Sequence, residues 1–161
     1  MADEKDSSSG LGSSGVFKAI VASARKFKRA VTGADDELSP VANELASTVA
    51  RAFVAGRFED VHALGTHGFR DRTDRARFVT TWSDASTARG PFTSFEIASV
   101  GSIDLGFIPG LEEVPQSQFQ AFLEIRFSSP AVPIDDDAAF AIAVVLLDEG
   151  GATRIGALHA R

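Results

Sequence analysis

Apolar residues recur at three and four residue steps through roughly the first half of the chain and at alternate positions afterwards, so helices are expected first and strands second. Phe17, Ile20, Val21, Ala24, Phe27 and Val31 form one helical stripe, which Gly33 would stop. A second helix is predicted from Pro40 to Ala55, with Ser39 as its cap, Val41, Leu45, Val49, Ala52 and Phe53 inward, and Gly56 closing it. A short third follows over Phe58 to Leu64, with Glu59 and Asp60 well placed in its first turn and His62 turned to solvent. After an irregular piece, "THGFRDR", Thr73 is expected to cap a helix from Asp74 to about Ala88, with Phe78, Trp82 and Ala85 on one face; Gly90 and Pro91 break it.

From there the pattern alternates. Phe92 to Ile103 reads as a strand. In Ser117 to Phe127, residues Phe119, Ala121, Leu123, Ile125 and Phe127 point one way, and Gln118, Gln120, Glu124 and Arg126 the other. Ala138 to Leu147 is apolar on both faces, as a central strand covered on each side would be. "DEGGAT" turns the chain into a last strand, Thr153 to His159. This order predicts an α+β fold, with helices packed on one face of a mainly antiparallel sheet.

Composition narrows the picture. A chain of 161 residues with 44% apolar side chains and thirteen Phe supports one domain around one core. There is no Cys, which removes disulfides, thiolate metal sites and a Cys nucleophile. No apolar run is long enough for a membrane span, and a secretory signal is disfavoured because Lys18 splits the first apolar stretch and the preceding residues are acidic. A cytoplasmic setting is the expectation.

Charge is uneven along a chain whose net charge is −6. Lys18, Arg25, Lys26, Lys28 and Arg29 give residues 16–33 a charge of +5, while residues 34–161, with ten basic and nineteen acidic side chains, carry −9. Nucleic acid binding over the acidic body is therefore unexpected. Residues 1–15, rich in Ser and Gly, read as a flexible leader; 16–33 as a basic amphipathic helix; 34–39 as a linker; and 40–161 as the domain. The basic helix could meet an anionic membrane, a protein partner, or the acidic body of its own or a second chain.

The stretch "FVAGRFEDVHALGTHGFRDRTDRARFVTTWSDA", residues 53–85, resembles the nuclear-transport-factor-two-like superfamily, a cystatin-like group that includes ketosteroid isomerases and polyketide cyclases. The resemblance spans about residues 40–161. It implies three helices and a brief strand against a long curved sheet, a cone enclosing a pocket, and often a homodimer. In its isomerase branch a carboxylate base falls near Asp71, but the partner Tyr is missing, since this chain has no Tyr and presents Val49 on the comparable helix face.

Asp71 lies among Arg70, Arg72, Arg75 and Arg77, which also reads as a solvated ion-pair cluster. His67, close to it in sequence, is the other proton-transfer candidate; His62 and His159 read as ordinary surface or capping residues. Phe78 and Trp82 are candidate pocket or interface residues. So are Phe107 and Ile108 in the connection "DLGFIPGLEEVP", which could cap a pocket, join a dimer contact, or tuck against the sheet. "DDD" at 135–137 lacks the spacing of a calcium loop and reads as a solvated turn; no metal or cofactor is expected. Together these features favour a non-catalytic ligand-binding or protein-interaction domain. The alternatives are a small cyclase, isomerase or dehydratase acting on an apolar substrate, and a protein anchored through its basic helix.

Overall fold

A computed structural model describes residues 37–161, an α+β arrangement of four helices and one open antiparallel sheet. The basic segment over 16–33 lies outside the described residues. Helix α1 (Pro40–Ala55) starts where Ser39 accepts from the Ala42 amide at 3.2 Å, and ends at Gly56, whose φ of 73° suits glycine. Its buried face is the expected one at Val49, Ala52 and Phe53 but not at its first two turns. Ala42, Ala46, Val49, Ala50, Ala52 and Phe53 are buried, whereas Val41 is 59% exposed and Leu45 only half-buried. Three alanines at four-residue spacing make a flat row, so this face lets the helix axis approach the sheet more closely than a face carrying Val41 would.

Helix α2 (Phe58–Ala63) buries Phe58 and Val61 as expected. The piece expected to be irregular is a helix, α3 (His67–Arg72), because the Thr66 hydroxyl accepts from the Phe69 amide at 3.1 Å. Where the family resemblance implied a brief strand there is a single parallel bridge, Gly65 to Ile155. Helix α4 (Arg75–Arg89) is capped by Asp74 rather than Thr73; its carboxylate accepts from the Arg77 amide at 2.9 Å. Thr73 instead closes α3 by donating its N–H to Phe69 O.

Strands β1 (Ser94–Gly101), β2 (Phe119–Ser128), β3 (Phe140–Glu149) and β4 (Ala152–Ala160) pair in sequence order. Between β3 and β4, Gly150 and Gly151 have φ of 61° and 87°, the backbone that a two-residue hairpin loop requires. Two register shifts alter what the alternation predicted. Phe119 pairs with Leu147 but Ala121 with Leu146, so Gln120 is an extra residue and Phe119 packs on the opposite side from Ala121, Leu123, Ile125 and Phe127. On β4, Gly156 is skipped between Ile155 and Ala157, and a Cβ there would lie 2.4 Å from the Leu147 side chain.

β3 carries two cores. Phe140, Ile142, Val144 and Leu146 face the helices, where Phe53 sits among the rings of Phe58 at 5.1 Å, Trp82 at 5.2 Å and Phe127 at 5.5 Å. Ala143, Val145 and Leu147 face away, and the connection from residue 102 to 118 covers them with Leu105, Ile108 and Leu111, each at most 1% exposed. Leu105, Ile108 and Leu111 thus tuck against the sheet. Phe107 alone points out, 71% exposed. At 135–137 the chain makes an exposed turn, in which the Asp136 carboxylate accepts from the Ala138 amide.

Neighbouring residues of this connection should therefore behave oppositely. Ile108→Ala is expected to cost about 2–5 kcal/mol and Phe107→Ala less than about 0.5 kcal/mol, measured by urea unfolding. Equal costs would show that the connection is not a structural layer.

Candidate functional site

A cleft of about 320 Å³ opens where α3, the start of α4 and β4 meet. Its floor is Phe69, Phe78, Trp82 and Leu158, and its rim is Arg72, Thr73, Asp74, Arg77 and Thr81. The floor is apolar because Phe78 and Trp82 lie on the inward stripe of α4, continuous with Phe53 in the core. Asp74, Arg77 and Thr81 follow at three and four residue steps, so the same helix supplies one polar wall. A larger hollow of about 600 Å³ beside the start of α1 and β1 has no aromatic ring and one charged group, Glu37.

The cleft takes up two of the four apolar candidates, Phe78 and Trp82. Ile108 is buried on the far face of the sheet and Phe107 is exposed beyond it, so neither lines this cleft. Asp71 and His67 do not line it either. They sit one turn apart on the open side of α3, His67 Nε2 4.0 Å from Asp71 Oδ2, with side chains 79% and 71% exposed. At that exposure the pair has bulk water around it. The His67 amide donates to Glu149 Oε2 at 3.0 Å, a tie from α3 to the β3–β4 turn.

His62 contradicts the solvent-facing expectation. It is 7% exposed, and its Nε2 donates to the Thr73 carbonyl at 2.7 Å, between the rings of Phe69 at 5.9 Å and Phe78 at 5.5 Å. The spacing carried the signal, because Phe58, Val61 and His62 fall at i, i+3 and i+4. His62 therefore stands behind the cleft floor and pins the joint between α3 and α4.

The arginines around Asp71 separate rather than cluster, and among the described residues none ion-pairs with it. Arg75 pairs with Glu59 at 2.9 Å. Arg72 donates through Nη2 to the Gly156 carbonyl at 3.0 Å, and a Cβ on Gly110 would lie 2.6 Å from its Nε. Nearby, hydrogen bonds from its own backbone amide and from that of Gly110, with a smaller contribution from the Arg72 charge, hold the Glu112 carboxyl below the usual carboxylate range. Arg77 has no ion-pair partner among the described residues. Sequence reasoning read these arginines as one solvated group because a run of charges does not disclose which members are already engaged.

His159 lies opposite Ala143 and so on the face of the sheet away from the cleft. Burial pushes its imidazole below the usual 6.5, since desolvation disfavours the charged ring. The unfolded chain then takes up a proton at higher pH than the folded chain. The stability contributed by neutral His159 is complete above 6.5 and is lost as pH falls through the lower folded value. The urea midpoint of the parent is expected to drop more between about pH 7.5 and 5.5 than that of His159→Gln. Equal drops would remove His159 as a source of the dependence.

Comparison with family models, with curated proteins and with solved structures finds no match to this chain.

Proposed function

We propose that this chain is a non-catalytic binding or accessory domain of the nuclear-transport-factor-two-like type, and that it holds a small ligand in the cleft between α3, α4 and β4. The observation that carries the reading is the filled interior. Phe53, Trp82, Phe92, Phe127 and Phe140, each at most 8% exposed, occupy the space between helices and sheet where an enclosed substrate would lie. In this reading the sheet and helices form the cone, and the cleft is the part of its mouth left open. A volume of about 320 Å³ lies at the small end of the range for ligand sites. The displacement of Asp71 and His67 from the cleft supports binding ahead of acid–base turnover.

Trp82 is the only Trp, so its indole N–H gives one resonance that reports on the cleft floor. Titration of ¹⁵N-labelled protein with 1-naphthaleneethanol is expected to shift that resonance. Thr81→Phe, which fills the cleft from an exposed helical position, should abolish the shift without lowering the urea midpoint. No shift up to about 10 mM, the weak end for a ligand of this size, would overturn the reading, as would an unchanged shift in Thr81→Phe.

A further inference from the structure

We infer that the cleft is built for one chemical class, a small planar apolar molecule that ends in a carboxylate or similar anion. This rests on the cleft being a ligand site and adds what that ligand must carry.

The floor selects the body of the molecule. Phe69, Phe78, Trp82 and Leu158 are between 4% and 9% exposed, so a ligand meets a narrow apolar strip rather than a deep bowl. A flat fused ring covers such a strip with the least desolvation of the polar rim.

The rim selects the end group. Two guanidiniums, Arg72 and Arg77, face one carboxylate, Asp74, which leaves one positive charge in excess. The Asp74 carboxylate already accepts from the Arg77 amide at 2.9 Å, so its charge is directed at the first turn of α4. Arg72 is held by the Gly156 carbonyl and shares its surroundings with Glu112, which partly offsets its charge. Among the described residues Arg77 has neither kind of tie, which leaves its guanidinium donors for a ligand. Thr81 stands four residues further along the same helix, so its hydroxyl can donate to the anion that Arg77 pairs with. Over a body of residues 34–161 carrying −9, Arg77 beside an aromatic floor locally reverses the prevailing sign of charge. Anions are repelled by the chain as a whole and find their favourable potential locally.

The test compares three probes of one shape on the full chain, read by the Trp82 indole resonance: 1-naphthaleneacetate, neutral 1-naphthaleneethanol and cationic 1-naphthaleneethylammonium. The acetate is expected to bind with Kd of about 0.1–1 mM, about five- to tenfold tighter than the alcohol. In Arg77→Gln the acetate and the alcohol should bind with equal affinity, whereas Arg77→Lys should keep part of the acetate's advantage. Binding of alcohol and acetate with equal affinity overturns the anion assignment but leaves the cleft a ligand site. Tighter binding of the ammonium overturns it in favour of Asp74 as the deciding charge. No response to any probe overturns the ligand site itself.

Discussion

The arrangement depends on a strand that cannot tolerate water on either side. Every residue of β3 from Phe140 to Leu147 is buried, so each face needs a cover of its own. The helices supply one and the connection between β1 and β2 the other. That demand explains why a stretch without long regular structure contains Leu105, Ile108 and Leu111 at essentially zero exposure. β1, at one margin of the sheet, needs no such double cover, and over most of its length its burial alternates.

Much of this was legible from the residues. The caps and stops of α1 stood out because Ser-Pro and a C-terminal Gly have strong local reasons to be there. The double burial of β3 could be read from its unbroken apolar run. Where the reading failed, an interaction distant in sequence had decided the matter. Nothing local distinguishes a face of Ala42, Ala46 and Ala50 from one led by Val41 until the sheet demands close approach. A six-residue helix such as α3 offers too few turns for a period to register, and the extra residue at Gln120 shows only in its pairing with β3.

The cleft was half legible for the same reason. Phe78 and Trp82 announced themselves by helical spacing, which depends on α4 alone. The rim depends on how α3 turns into α4, and that corner is fixed by His62 reaching the Thr73 carbonyl and by Phe69 lying against Gly65, where a Cβ would approach within 2.2 Å. Asp71 and His67 stood out in sequence as charged neighbours. The same corner directs them outward and leaves Arg77 beside the aromatic floor.

Arg72 has a consequence for the order in which the molecule assembles. Its hydrogen bond to Gly156 joins residues 84 apart in sequence, and its guanidinium also packs on Gly110 of the connection. Such a contact gains nothing until the sheet has closed the long loop between them. The helical wall with Phe78 and Trp82 can take shape early from neighbouring residues. The corner that gives the cleft its second wall waits for β4, so the cleft is among the last parts of the fold to become complete.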